Sequence, residues 1–184
     1  MISAPEDPLL FFHDTSVLVN FHRPGLILAL GELLGTNVRW TGTVLTECER
    51  KQEQLGLPGL VDAAAQLLGD PLYPENGEHA SIRQLRLQMS SPGDHPQQHL
   101  GEAESITLIQ KRMLRAVFVT DDRAATHWAR PVECVGTWKL LRFAHRRNIV
   151  NRSDAVRLWQ DFVSAGGTPP HEIGTQQRFE NSLM

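Results

Sequence analysis

Acidic side chains in this sequence follow short apolar segments, an arrangement that can build a metal site. Asp14 comes just after the apolar run Leu9–Phe12, and the pair Asp121 and Asp122 comes just after the run Val117–Val119. Both runs are typical of buried strands. Ligands of open α/β sheets bind in the crevice beyond the carboxyl ends of the strands. We therefore expect these three acids to meet at one edge of a sheet.

Two further acids lie near the starts of helices, Glu102 in a helix that begins at Gly101 and Glu47 in an earlier one. Two carboxylates about 5 Å apart repel each other by roughly 3 kcal/mol at an effective dielectric near 20. A divalent cation removes this repulsion, and oxygen ligands favour the hard ions Mg²⁺ and Mn²⁺. Such ions activate water and neutralise charge on a phosphoryl group during its transfer. The pattern therefore predicts a metal-dependent catalytic site in which Glu47 contributes through a water molecule.

Each of these acids also has a structural interpretation that the sequence leaves open. Asp14, or one of the pair that follows Val119, could cap a helix, and Glu102 could interact with a helix dipole. Glu47 could be a solvated helix residue. Three hydroxyl residues flank the acids and could orient metal-bound water, namely Thr15, Ser16 and Thr120.

Other polar residues are assigned simpler roles. Glu104 is expected to be exposed or to support the site from outside it. The eight histidines show no metal-ligand spacing, and His99 is expected at the surface. A local basic patch contains Arg142, Arg146 and Arg147. It is either a solvated helix face or a contact for an RNA phosphate backbone.

Bulk properties limit the classes of protein that fit. The 184 residues suffice for one domain, with a formal net charge of -3. This charge does not favour a general nucleic-acid binder, but it is compatible with a nuclease whose acids are clustered. No apolar run approaches the roughly 20 residues that cross a bilayer. Residues 1–7 lack a basic segment typical of signal peptides, and two widely separated cysteines fit a reducing compartment, so the expected location is cytoplasmic.

Apolar strands alternate with helical patterns along most of the chain, which predicts a mostly parallel sheet with helices on both faces. Residues 1–168 are expected to form a single domain. Its last part, 138–168, is read as a helical extension in which Ser153 caps the final helix. The segment 82–89 fits a strand or a helix, and 169–184 is expected to be a loose tail.

Several segments resemble the motifs of PIN-domain ribonucleases, and they occur in the same order along the chain. The matching segments are Phe11–Asn20, Thr43–Glu47, the Gly-Glu-Ala-Glu helix start at Leu100–Ile106, Val117–Ala125, and Val135–Thr137 followed by a helix. Each motif is weak by itself, whereas five in order are fairly specific. The Gly-Glu-Ala-Glu helix start and the segment Val135–Thr137 with its helix are similar to those of a subgroup with a C-terminal extension.

The resemblance implies a three-layer α/β/α sandwich with a short, mostly parallel sheet, and an endoribonuclease that uses Mg²⁺ or Mn²⁺. In many members it also implies the VapC-type toxin of a toxin–antitoxin pair, with RNA as substrate and a small antitoxin as partner. Apolar helices near 26–34 and 60–68 suggest a homodimer. The alternative is a catalytically silent PIN-like module that acts through protein or RNA binding. In either case the strands ending at Asp14 and Thr120 must be neighbours or near-neighbours for the site to assemble.

Overall fold

The protein is described here by a computed structural model that covers residues 8–184, so the expectation for residues 1–7 lies outside the described residues. The strands in this range are β1 (Leu10–His13), β2 (Val38–Arg39), β3 (Ala116–Val119) and β4 (Glu133–Val135). The first helices are α1 (Thr15–His22), α2 (Ile27–Leu34), α3 (Gly42–Leu55), α4 (Leu60–Leu68) and α5 (His79–Met89). They are followed by α6 (Leu100–Lys111), α7 (Arg123–Trp128), α8 (Thr137–Arg146), α9 (Arg152–Ser164) and α10 (Gln176–Asn181).

The four strands form one parallel sheet in the order β2-β1-β3-β4. Strands β1 and β3 are direct neighbours, with His13 in register with Val119. The predicted parallel sheet and the predicted adjacency of these strands are both confirmed. Because all strands run in the same direction, their carboxyl ends meet at one edge, which we call the acidic edge because Asp14 and the pair after Val119 lie there.

Alternating side chains of the strands separate two apolar layers. Val117 and Val119 belong to one cluster with residues of α1–α4, α8 and α9. Phe12 and Phe118, which point the other way, belong to a second cluster with Ile106 and other residues of α5–α7. A side-chain period of two places successive residues on opposite faces of a sheet. The molecule is therefore an α/β/α sandwich, as predicted.

The ambiguous segment 82–89 is helical and lies within α5. One local expectation is wrong. Asn151, not Ser153, caps α9, because the side-chain oxygen of Asn151 accepts a hydrogen bond from the backbone N–H of Asp154 at 2.8 Å. Helix α1 begins directly at Thr15, where a cap at Asp14 would start it.

The last residues of the chain pack against the domain, contrary to the expected loose tail. Phe179 of α10 is fully buried, and its ring lies 5.9 Å from that of Trp138 and 6.4 Å from that of Trp159. The indole N–H of Trp159 donates to the backbone oxygen of Ile173 at 2.9 Å. The polar segment 169–184 is anchored to the domain by three buried apolar side chains, those of Ile173, Phe179 and Leu183.

Helices α2 and α4, the pair expected to need an external partner, pack against each other. Their buried side chains include Leu30 and Ala64, whereas Leu28 remains 47% exposed. The apolar faces of these two helices are therefore buried in part by contacts within the chain.

Within residues 8–184, no single helix has the length and hydropathy of a membrane span, and α1 with α2 passes that test only as a pair bent by 114°.

Candidate metal centre

Two neighbouring strands deliver the acids to the acidic edge. The backbone N–H of Asp14 continues the β1–β3 ladder by donating to the oxygen of Val119 at 2.9 Å. The N–H of Thr120 donates in the same way to Val135 of β4 at 3.0 Å. Asp14 and the pair Asp121 and Asp122 therefore leave the sheet side by side.

The Asp14 carboxylate is buried and caps helix α1. One oxygen accepts the backbone N–H of Thr15 at 2.7 Å, and the other accepts the hydroxyls of Ser16 at 2.6 Å and Thr120 at 3.2 Å. The structural interpretation of Asp14 as a cap is thus correct, and it coexists with a place at the acidic edge. Burial raises the pKa of Asp14 to about 6, with Glu47 adding to the effect by repulsion.

Glu47 reaches the edge from helix α3. Its carboxylate accepts the hydroxyl of Thr15 at 2.7 Å and the backbone N–H of Gly101 at 3.3 Å. A Cβ atom on Gly101 would lie 2.9 Å from both carboxylate oxygens. The glycine of the Gly-Glu-Ala-Glu segment therefore leaves the space that Glu47 occupies.

Glu102 lies in the first turn of α6, where it shares the edge with the other acids. Burial, then repulsion from Asp14, and further contributions from Glu47 and Asp122 raise its pKa to about 8. Such a shift means that the edge disfavours another negative charge. Perturbed carboxyl groups of this kind are typical of functional sites.

Asp121 is held firmly by its neighbours. Its carboxylate accepts the backbone N–H of Thr137 at 2.8 Å, the hydroxyl of Thr137 at 2.5 Å and the amide of Asn20 at 2.9 Å. A Cβ on Gly136 would lie 2.6 Å from one of its oxygens. Asp121 thus connects β3 to the start of α8. It also lines a crevice with Asp14, Glu47 and Glu102, which we call the acidic crevice.

Asp122 has one engaged oxygen and one that faces the site. The first caps α7 by accepting the N–H of Ala124 at 2.6 Å and of Ala125 at 3.2 Å. The second lies 3.7 Å from Nδ1 of His99. Of the pair whose roles the sequence left open, Asp122 therefore has the freer oxygen.

His99 brings a nitrogen to the acids, contrary to its expected surface position. Its side chain is 14% exposed, and Nδ1 is buried with no hydrogen-bond partner among the described residues. The potential ligand atoms of His99, Glu102 and Asp122 all lie within 4.8 Å of one another. Within residues 8–184 this is the one set of three His, Cys, Asp or Glu side chains that meets that distance.

These residues fit a divalent cation. Two carboxylates and one neutral imidazole suit ions that accept both oxygen and nitrogen, and an orphaned buried nitrogen is accounted for if it is a ligand. Glu102 also lines the acidic crevice, of about 370 Å³, together with Asp14 and Glu47, and Lys51 and Phe162 belong to the same crevice. Glu102 therefore belongs to both groups of acids.

The predicted residues divide by location. Thr15, Ser16 and Thr120 donate hydrogen bonds to the carboxylates of Asp14 and Glu47, which places all three within the site. The basic patch lies elsewhere. Arg147 lines a separate apolar pocket with Leu9, at the amino-terminal end of β1, and the patch containing Arg142 and Arg146 stays an untested RNA contact.

Three site residues were missed or misjudged in the sequence. Asn20, whose side-chain amide donates to Asp121 at 2.9 Å, lies in helix α1 and was not among the predicted site residues. Of the two roles expected for Glu104, the exposed one is wrong, because the side chain is 5% exposed and accepts the N–H and the hydroxyl of Thr43 at 3.1 and 2.5 Å. His99 directly precedes the recognised motif, and that position was the one available signal.

The comparisons with known proteins do not extend these observations. No family model matches the chain, and searches of curated proteins and of solved structures find no match either. The resemblance to PIN domains therefore stays one of sequence motifs and their order.

Proposed function

We propose that this protein is a metal-dependent endoribonuclease that hydrolyses phosphodiester bonds in RNA. The observation that carries the proposal is the convergence of Asp14, Glu47, Glu102 and Asp122 from four segments without cationic compensation. Among residues 8–184, no lysine or arginine forms an ion pair with any of these carboxylates. Carboxylates that lie this close repel one another in the metal-free protein, so the arrangement is best explained by ion binding.

Asp14, Glu102 and Asp122 are the proposed ligands of Mg²⁺ or Mn²⁺, with His99 as an additional ligand that favours Mn²⁺. When bound, such an ion lowers the pKa of water and stabilises charge on phosphate oxygens. Thr15 and Thr120 keep the carboxylates in fixed orientations. Lys51 lies at the crevice, where its ammonium can attract the substrate phosphate.

The test is the substitution Asp14→Asn, which keeps the side-chain shape and removes one charge. We expect cleavage of a labelled RNA pool in Mg²⁺ or Mn²⁺ to fall by about 100-fold or more, comparable to the loss of one strong electrostatic contact in other active sites. EDTA should abolish the activity of the wild-type protein. The matched control is Asp70→Asn, which alters an exposed aspartate in a bend far along the chain and should cleave normally.

Activity that survives both EDTA and Asp14→Asn would contradict the proposal. Inactivity of the wild-type protein with every divalent ion, despite normal folding, would favour the silent PIN-like module instead.

Partners follow from the same proposal. As a VapC-type toxin, the protein would be inhibited by a small antitoxin whose segment covers the acidic edge. A homodimer through α2 and α4 would use the exposed Leu28. Light scattering tests the dimer, because a mass that stays monomeric over a wide concentration range contradicts it.

A further inference from the structure

A second cleft adjoins the acidic crevice. It has a volume of about 390 Å³ and lies between helix α3 and the start of α6. Glu47 lines both the cleft and the crevice. A ligand in the cleft is therefore separated from the acidic edge by a single side chain.

Tyr73 forms an exposed aromatic wall of this cleft. Its side chain is 63% exposed. The ring lies against Gly42, where a Cβ atom would come within 2.5 Å of it. Glycine at the first position of α3 thus leaves room for the ring in its exposed position.

The backbone around Tyr73 is fixed from both sides. Leu72 pairs with the segment before α3, because its N–H donates to Trp40 at 2.9 Å and its oxygen accepts from Gly42 at 3.0 Å. The guanidinium of Arg112 donates to the oxygen of Tyr73 at 2.9 Å. An exposed ring that the chain holds in place loses little conformational entropy when a flat ligand stacks on it.

The inner wall of the cleft contains a carboxylate. Glu104 lies at its inner wall, 5% exposed, and keeps acceptor capacity beyond its two hydrogen bonds with Thr43. Among residues 8–184 it forms no ion pair with a lysine or arginine. An ionised carboxylate only accepts hydrogen bonds, so it favours a ligand edge that carries amino donors.

Basic side chains continue from the cleft along α3. Arg50 lines both the cleft and a neighbouring depression, which also contains Lys51, Gln54 and His95. Lys51 in turn lines the acidic crevice. One face of α3 contains positions 47, 50, 51 and 54, which follow helical spacing. The cationic side chains of Arg50 and Lys51 therefore line a continuous path from the cleft to the acids.

We propose that this cleft binds one nucleotide of single-stranded RNA, with its base stacked on Tyr73 and an amino group of the base directed to Glu104. The phosphates on the path would interact with Arg50 and Lys51. A charged strand with flat faces complements an exposed ring flanked by cations, as in other proteins that bind single strands. The inference rests on the proposed ribonuclease function and identifies where that site would hold its substrate beside the scissile bond.

The test measures binding in EDTA, where metal-dependent cleavage is absent. Fluorescence anisotropy gives dissociation constants for labelled octanucleotides of adenosine, cytidine or uridine and for an octamer without bases. We expect Tyr73→Ala to weaken binding of the adenosine octamer by about 10- to 100-fold, the range typical of one base stacked on an aromatic ring. Tyr73→Phe should bind almost normally. Neither variant should change the weak binding of the octamer without bases.

Two controls separate stacking from folding effects. Tyr73→Leu retains an apolar contact with Gly42 but lacks an aromatic face, so it should bind as weakly as Tyr73→Ala with an unchanged melting temperature. Phe143→Ala removes another exposed aromatic side chain, which lines the pocket with Leu9 at the opposite edge of the sheet, and should leave binding unchanged.

Tyr73 is the single tyrosine of the chain, which provides a direct probe. In protein labelled with ¹³C-tyrosine, the one set of ring signals should shift when the adenosine octamer is added and stay constant with the octamer without bases. Ring signals that do not move at saturation, or equal affinities of wild type and Tyr73→Leu, would overturn the inference. Equal binding of uridine and adenosine octamers would overturn the contact with Glu104.

The two proposals fail separately. A protein that cleaves RNA in Mn²⁺ but shows no response at Tyr73 contradicts only the nucleotide cleft. A protein that binds the octamers through Tyr73 but never cleaves them contradicts only the ribonuclease.

Discussion

Glu102 links the protonation of the acidic edge to the stability of the fold. Its pKa rises from 4.5 in a free chain to about 8, and that of Asp14 rises from 3.8 to about 6. A group with a raised carboxyl pKa binds more protons in the folded state than in the unfolded state, so folding stability falls as pH increases through this interval. We expect these two carboxyl groups to contribute most to the free energy of unfolding of the metal-free protein below about pH 4.5. That contribution, on the order of a few kcal/mol, should be lost by about pH 8.

Melting temperatures measured in EDTA between pH 5 and 8 check this prediction. Glu102→Gln cannot ionise, so its melting temperature should fall less over the same range. Addition of Mn²⁺ should restore the stability of the wild type at high pH, because an ion bound only by the folded state stabilises it. A wild-type profile as flat as that of Glu102→Gln would contradict the prediction.

His99 should determine which ion the edge prefers. Imidazole nitrogen suits Mn²⁺ better than Mg²⁺, which takes oxygen ligands. We expect His99→Gln to weaken Mn²⁺ binding by about 10-fold or more and to change Mg²⁺ binding much less. The nearby exposed His95 provides the control His95→Gln, which should bind both ions normally.

Mn²⁺ electron paramagnetic resonance gives both a dissociation constant and, from its nitrogen coupling, the identity of the ligand. Nitrogen coupling that persists in His99→Gln would show that another residue supplies the ligand.

Whether a site residue could be predicted from the sequence depends on how its side chain reaches the acidic edge. Asp14 and the pair Asp121 and Asp122 could be located because they come just after short apolar runs that are typical of strands. His99 could not, since its position depends on a left-handed backbone conformation, with φ of 63°, that turns the side chain toward α6. A non-glycine residue rarely adopts this conformation, and no pattern in the sequence announces it.

At the level of elements, two glycines at helix starts make room for carboxylates. Gly101 lies under Glu47, and Gly136 lies beside Asp121 at the start of α8. Their backbones have ordinary φ values, so the requirement is for space and not for conformation. The glycines of two recognised motifs therefore have a packing explanation that depends on distant partners, Glu47 for Gly101 and Asp121 for Gly136.

The substitution Gly136→Ala tests whether the space beside the Asp121 carboxylate is required. The new Cβ would lie 2.6 Å from a carboxylate oxygen of Asp121 and 3.2 Å from the backbone oxygen of Thr120, so one of them must move. We expect a loss of about 1–3 kcal/mol in the free energy of unfolding, together with weaker RNA cleavage. Urea denaturation measures the first effect. Gly77→Ala is the matched control, because an added Cβ there meets nothing within 4 Å, and a similar loss in that variant would refute the packing explanation.

The elements themselves were predictable where apolar periodicity and strand ends agreed. The neighbouring positions of β1 and β3 followed from the need to bring their acids together. Helix α5 was ambiguous because Leu85, Leu87 and Met89 alternate as in a strand, whereas Ile82, Leu85 and Met89 follow helical spacing. Its packing against α6 decides between the two interpretations. Sequence patterns contain no information on such tertiary contacts.

At the level of the whole molecule, the C-terminal segment is tied to the functional edge. Trp138 in α8 contacts Phe179 of α10 and, at 4.9 Å between ring centres, Phe162 of α9. Phe162 also lines the acidic crevice. The mostly polar composition of 169–184 predicted a loose tail. A few buried apolar side chains are enough to anchor a short segment, and the average composition does not reveal them.

Phe179→Ala tests whether this closing segment contributes to the stability of the whole domain. The side chain is fully buried between Trp138 and Trp159, so its removal should leave a cavity and cost about 3–5 kcal/mol in the free energy of unfolding. For a protein of this size that corresponds to a fall of roughly 6–20 °C in melting temperature. The control is Gln177→Ala, an exposed position of the same helix that should unfold like the wild type. Tryptophan fluorescence follows the transition, because two of the four tryptophans border the cavity. If 169–184 were a loose tail, Phe179→Ala and Gln177→Ala would unfold at the same urea concentration.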